Sequence, residues 1–422
     1  MHSLDAQPLP SSLWQGRETL AQEPDLKIHK QILEFLARIN LVSLCRIAST
    51  LRSGIESHIS ERFIFGTENV IREIVFEDGV VWIARCYFRP VHRGMVRSEV
   101  ATMRHVKKHT TIPVPEVFAY SSSCDNAVGS PYILMETIRG RRHINEDLVI
   151  LDIPDEKKRF VCEQLADYFL QLNSLRFPSI GSLDTDEEGN LFISDVFRIH
   201  ETFPRPTGPT QYYRFAALAR LRLFRHVPSL AFNSWLRLSL AKRMGKSTTV
   251  DYPLAHPDFH AGNILFDDDF TIVGILDWSY AHTVPTELFC VVPGGWFLRP
   301  DSFLDDVPPA FRAGRERFHE LQKSLRQEFL SALQELEKSR GTEPRLSLMF
   351  KDIKTKQALM FNEYYESKNS EVYELAFGKP ARVEDLKELR EWFFEQDLDM
   401  LLDQEEGQAY SLSDDGLSTT KV

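Results

Sequence analysis

The stretch His256 to Trp278, HPDFHAGNILFDDDFTIVGILDW, sets two short apolar runs, ILF at 264–266 and TIVGIL at 271–276, on either side of the polar turn DDDF. Apolar runs of this length around a cluster of aspartates predict a β-hairpin. A hairpin returns the chain to where it began, so Asn263 before the first strand and Asp277 after the second are predicted to lie at one end. Asp267, Asp268 and Asp269 then lie at the other end, about 10–15 Å away at roughly 3.3 Å per strand residue. These three are assigned to the turn. His256, Asp258 and His260 alternate ahead of the hairpin and could form part of a zinc cage. No further His-rich group accompanies them, however, and a zinc cage would leave the Asn-hairpin-Asp extension unexplained. His256 is read as scaffold holding the loop, and His260 stays open between ligand and exposed side chain.

The spacing His256-Pro257-Asp258 to Asn263 also matches the kinase catalytic loop H-x-D-x-x-x-x-N. In that loop the aspartate positions a substrate hydroxyl and accepts its proton, and the asparagine binds magnesium. Magnesium takes one or two oxygens from protein and the rest from phosphates and water, which Asn263 and Asp277 together would satisfy.

Upstream, residues 27–52 space apolar side chains at three and four, as a helix or helix pair does. From 59 to 89 the pattern becomes that of an antiparallel meander: ISERFIFG, NVIREIVF, the turn EDG at 77–79, and VVWIARCYF. A helix is expected over 97–109, stopped by prolines 113 and 115, and a strand over 131–138. Beyond Arg139 the reading is helical, with long segments at 155–176 and 212–243 and further helices over 308–405, separated at GTEP (341–344) and GKP (378–380). The hairpin is the one strand-like patch expected in that half. GKS at 245–247 lacks the earlier glycine of a phosphate loop, and no G-x-S-x-G serine elbow occurs.

HPDFHAGNILFDDDFTIVGILDWSYA resembles the paired signature of the aminoglycoside phosphotransferase family, in its divergent fungal-type small-molecule kinase-like branch. RFIFGTENVIREIVFEDGVVWIARCYF resembles the strands of that branch's nucleotide lobe, and PYILMETIRGR its hinge. The resemblance covers roughly 55–300. It implies an α+β, protein-kinase-like bilobal fold: a mostly β N-lobe (57–138), a helical C-lobe with catalytic loop and acceptor site (139–406), an N-terminal helical extension (1–56) and a disordered tail (407–422). It also implies transfer of the ATP γ-phosphoryl group to a hydroxyl of a small molecule, with Asp258 catalytic and Asn263 and Asp277 on magnesium. Gly66 belongs to the phosphate-covering turn, and Glu136, Thr137 and Ile138 offer hinge backbone groups to adenine.

The third strand departs from the pattern. Residues 59–89 contain no lysine, so Arg85 is the substitute on the phosphates, with Glu99 as the helix carboxylate holding it. Its fork is wider and less adjustable than an ammonium. The turn FGTENV is also poor in glycine. These two departures motivate the alternative of a kinase-like protein that binds nucleotide or a partner with little turnover.

The net charge of -11 is concentrated at the C-terminal end, where residues 361–422 hold 16 Asp and Glu against 6 Lys and Arg. That balance disfavours nucleic acid and suits a cationic acceptor. The five scattered cysteines signal neither disulfides nor a zinc ribbon. No apolar run approaches roughly 18 residues, and no signal pattern opens the chain. A cytoplasmic protein with no membrane partner is expected.

Overall fold

The computed structural model describes residues 27–145, 150–198, 201–243, 251–289, 309–342, 345–351, 369–377, 380 and 382–411. GKS at 245–247, Cys290 and parts of the GTEP and GKP breaks lie outside them. By internal packing the chain forms two compact units. One comprises Met1–Lys157, Leu183–Phe192 and Ala261–Ser279, the other Lys158–Ser182, Ile193–His260 and Tyr280–Val422.

The first unit opens with a helix pair. In α1 (Lys27–Arg38) Ile32, Phe35 and Leu36 are buried, the stripe expected of an amphipathic helix. Asn40 ends the run, its side chain accepting from Ser43 N at 3.0 Å to cap α2 (Leu41–Leu51). The meander follows as β1 (Ser57–Phe65), β2 (Asn69–Phe76) and β3 (Val81–Tyr87). Gly79 turns the chain between β2 and β3 at φ 79, a left-handed conformation that favours glycine. With β4 (Val117–Ser121) and β5 (Tyr132–Glu136) these strands form one antiparallel sheet in the order β1-β2-β3-β5-β4.

Alternation along β3 decides what faces what. Trp82, Ala84 and Cys86 share a core with Ile32, Phe35, Leu36 and Leu44 of the helix pair. Arg85 and Tyr87 take the other face and meet Glu99 of α3 (Arg93–His109). This helix begins four residues before the expected start at 97, because the His92 imidazole accepts from Gly94 N at 3.2 Å. β5 is shorter than the expected 131–138, in keeping with Pro131, which has no N–H for the ladder.

The second unit is mostly helical, but two expectations need correction. The stretch 212–243 is two helices, Pro209–Phe224 and Pro228–Arg243. Pro228 disfavours helix at Val227 and suits the first turn of a new one. The hairpin is also not the one strand patch after Arg139. Short strands occur at Arg176–Phe177, Gly181–Thr185, Leu191–Ser194, Val196–Arg198, Glu201–Phe203, Tyr252–Ala255 and His282–Thr283, among others. Runs of two to five residues carry too little periodicity to read in advance, and partners distant in sequence define them, as where Leu254 pairs with Thr283 and Tyr252 with Phe177.

The last described helix, Leu398–Ser411, runs into the segment 407–422 expected to be a disordered tail. Ala409 is fully buried, and its carbonyl accepts from Gln211 Nε2 at 3.0 Å. In the same helix Glu405 pairs with Lys242 and Glu406 with Arg222. Two carboxylates of the acidic segment are thus engaged within the unit. The architecture is α+β, a mostly β first unit and a mostly helical second unit, with the element order of a protein-kinase-like fold.

Candidate active site

The hairpin forms as its sequence predicts, from Ile264–Phe266 and Ile272–Ile275. Ile264 faces Ile275 and Leu265 faces Gly274, and Leu276 N donates to Asn263 O at 2.8 Å. Asn263 and Asp277 therefore share one end. At the other end Asp267 accepts from Asp269 N at 2.9 Å and Thr271 N at 2.8 Å, so this aspartate builds the turn. Asp268 is exposed and 3.6 Å from Arg141.

The segment that follows β5 docks on this hairpin. Arg141 N donates to Phe266 O at 2.7 Å and Phe266 N returns a bond to Arg141 O at 2.9 Å. Two glycines permit the approach: a Cβ on Gly274 would meet Ile138 Cγ2 at 2.9 Å, and one on Gly140 would meet Val273 Cγ2 at 2.8 Å. Ile138 is thereby placed against the strand that leads to Asp277. Glu136 sits at the end of β5 with its N–H donated to Glu116 O at 2.8 Å, and its carboxylate accepts from Glu116 N and Lys107. That N–H is committed within the sheet. Gly66 lies in the turn between β1 and β2, where its N–H donates to Asn69 O at 3.0 Å.

Arg85 and Glu99 meet as expected, in a buried pair 7% and 2% exposed. The same Arg85 nitrogen, NH1, lies 3.4 Å from Asp277 Oδ1 and 3.3 Å from Ser279 Oγ. Burial opposes the guanidinium charge, but Glu99 and then Asp277 outweigh it and hold Arg85 protonated above its usual range. Tyr87 OH donates to Glu99 Oε2 at 2.8 Å, and burial with the neighbouring Glu99 keeps that phenol protonated. Helix α3 is tied down by Arg97, which donates to the fully buried Asp184 at 2.7 Å. Asp277 itself adopts φ 59, a left-handed conformation uncommon outside glycine and found at functional sites more than elsewhere. Trp278 beside it is fully buried, its indole N–H donated to Ile275 O at 3.0 Å.

Sequence reasoning missed three residues here. Tyr87 was legible in principle, since it lies two residues after Arg85 on one strand and so shares its face. Ser279 reaches Glu99 through a turn and carried no signal. Arg142 is lowered in pKa by burial while the Asp277 carboxylate opposes that shift, which marks it as a cation in the field of the hairpin aspartate.

Asp258 belongs to the second unit. It occupies the turn after the strand Tyr252–Ala255, with an exposed carboxylate 3.6 Å from His260 Nε2. His256 is buried, its ring edge-on to Phe259. Among the described residues no three His, Cys, Asp or Glu side chains gather as a metal cage. Magnesium needs no such cage. Asn263 and Asp277 each carry a side-chain oxygen at one hairpin end, and the buried Arg85 Nε has no hydrogen-bond partner among the described residues. The residues present fit a magnesium nucleotide.

A strand arginine is locked to a helix glutamate beside an aspartate at the end of a short hairpin, within a fold of the protein-kinase-like class. The chain belongs to the phosphotransferase enzyme family, whose model matches residues 61–286. It is similar to a subtelomeric hrmA-associated cluster protein of Aspergillus fumigatus, 38% identical over 86 residues, 20% of this chain and 16% of that protein. It is also similar to altered inheritance of mitochondria protein 9 of Zygosaccharomyces rouxii, 34% identical over 98 residues, 22% of this chain and 16% of that one. The aligned stretch thus spans about a sixth of these relatives' length. Among solved structures, a macrolide 2'-phosphotransferase type I aligns at TM-score 0.42 and 13% identity, covering 82% of this chain and 99% of that one. No helix among the described residues is long and apolar enough to cross a membrane.

Proposed function

We propose that this chain transfers the γ-phosphoryl group of ATP, with magnesium, to a hydroxyl of a small molecule, residues 57–138 serving as nucleotide lobe and 139–406 carrying the acceptor site. The observation that carries this reading is the buried Arg85–Glu99 pair with Asp277 Oδ1 3.4 Å from the same guanidinium nitrogen. When bound, magnesium would neutralise charge on the nucleotide phosphates. Asn263 and Asp277 would hold it, Arg85 would face the phosphates with Glu99 fixing its aim, and Gly66 would lie over them. Backbone groups of Thr137 and Ile138 would meet the base. Asp258 would orient the acceptor hydroxyl and take its proton on a carboxylate oxygen, a role worth about 10²–10⁴-fold in rate. Phosphoryl transfer is mostly positioning and charge stabilisation, so these few groups suffice. The engagement of Glu405 and Glu406 by Lys242 and Arg222 removes two carboxylates from the case for a cationic acceptor.

A second reading, a nucleotide- or partner-binding protein with weak turnover, is favoured by one observation. Arg85 NH1 is already shared among Glu99, Asp277 and Ser279, and it would have to leave one of them to reach a phosphate.

The test is purified protein with ATP, magnesium and a panel of amino alcohols, aminoglycosides and hydroxylated metabolites, beside Asp258→Asn. Transfer that falls about 10²-fold or more in the variant supports the enzyme. Nucleotide binding without transfer to any acceptor moves the protein to the second reading, and stoichiometric zinc in the purified protein overturns both.

A further inference from the structure

Both oxygens of the Glu99 carboxylate are occupied. Oε1 accepts from Arg85, and Oε2 accepts from Tyr87 OH at 2.8 Å and from Ser279 Oγ at 2.9 Å. The Ser279 hydroxyl has one proton; given to Glu99, it leaves its lone pairs to Arg85 NH1 at 3.3 Å. One hydroxyl thereby steadies the glutamate and receives the arginine. The contacts join β3, α3 and the segment after the hairpin, all within the first unit.

An ammonium turns freely on its stem and offers three donors in many directions. A planar guanidinium holds its donors in a fixed fork, so its aim follows the plane of the carboxylate it binds. Left with Arg85 alone, the Glu99 carboxylate could rotate about its last single bond and tilt the guanidinium. Two further donors on Oε2 remove that freedom. With Nε unpartnered, the side of the guanidinium facing Glu99, Ser279 and Asp277 has to set its orientation.

Resting on the phosphotransfer reading above, we infer that Tyr87 and Ser279 are positioning residues for nucleotide binding, which fix Glu99 and through it the plane of Arg85 without touching nucleotide themselves. They are the additional donors that an arginine needs where a lysine would not.

The test measures direct binding of a fluorescent ATP analogue with magnesium to the full chain, wild type beside Tyr87→Phe, Ser279→Ala and Ser279→Thr, with thermal unfolding of each. Tyr87→Phe and Ser279→Ala should each weaken binding about tenfold, the loss expected for a hydrogen bond to a charged group. Ser279→Thr keeps the hydroxyl and should stay within about threefold of wild type. With any acceptor found, KM for ATP should rise in the two weakened variants while KM for the acceptor holds, a split that general loosening would not produce. Wild-type affinity in Tyr87→Phe and Ser279→Ala overturns the inference alone, as does equal loss in Ser279→Thr and Ser279→Ala. A wild-type protein that binds no nucleotide overturns the phosphotransfer reading and the inference with it.

Discussion

Glu99→Gln removes one charge from a pair with almost no water around it. Arg85 is 7% exposed and would be left with Asp277 Oδ1, 3.4 Å away, as its remaining carboxylate contact. Breaking a buried ion pair by removing one partner costs about 3–5 kcal/mol, and the surviving Asp277 contact with the amide oxygen of Gln places this variant at about 3 kcal/mol. Arg85→Met leaves Glu99 with its Tyr87 and Ser279 donors and falls in the same range. Removing both charges together exchanges two buried ions for neutral groups, which is often close to neutral. The double variant should therefore be less destabilised than the sum of the singles, with a coupling of about 2 kcal/mol or more. For a unit of about 150–250 residues each kcal/mol moves Tm by about 2–4 °C, so Glu99→Gln should lose about 6–12 °C, Arg85→Met about 6–20 °C, and the double no more than the worse single. Thermal unfolding of the four proteins by circular dichroism reads this directly. A Glu99→Gln shift below about 2 °C, or additive losses in the double, would refute the closed buried pair.

Two further outcomes follow from other parts of the molecule. His282 is buried between Tyr280 O at 2.7 Å and Tyr212 OH at 2.8 Å; burial pushes its pKa down from 6.5 to about 4, against the raising effect of the Tyr280 bond. Since the unfolded chain takes up the proton first, the stability tied to this neutral imidazole is complete above about pH 6.5. It is lost as pH falls toward about 4, by roughly 3 kcal/mol. Urea titrations of His282→Gln should show a flatter loss over that window, and an unchanged slope would count against the assignment. Asp267→Ala removes the acceptor of Asp269 N and Thr271 N and should cost about 1–2 kcal/mol. Its nucleotide binding and transfer should match wild type, because the turn lies at the far end of the hairpin from Asp277; impaired metal-nucleotide binding would return Asp267 to the ligand set.

Much of the candidate site was legible because its logic is local. The two ends of the hairpin follow from chain reversal, which separates Asn263 and Asp277 from the turn aspartates without reference to the rest of the fold. The Arg85–Glu99 pair was legible only against the kinase pattern: residues 59–89 hold no lysine, so Arg85 stands in on the third strand, and the next helix offers Glu99 as its carboxylate. Helix starts and stops were read less well. Pro228 was passed over although it splits 212–243, and the imidazole cap of His92 draws α3 back to Arg93 although Gly94 weakens the helix there.

What the sequence by itself determined is the hairpin with its ends, the antiparallel meander and the order of elements, all consequences of spacing between near neighbours. Only the tertiary structure decided which distant groups converge. Tyr87 and Ser279 meet on one oxygen of Glu99, and Glu405 and Glu406 of the acidic C-terminal segment pair with Lys242 and Arg222. Ala409 is buried far enough to extend a helix into an expected tail. Such contacts join residues tens to hundreds of positions apart, and no local period records them. Packing brings them together, and the cost of leaving a buried polar group unpaired then selects the partners.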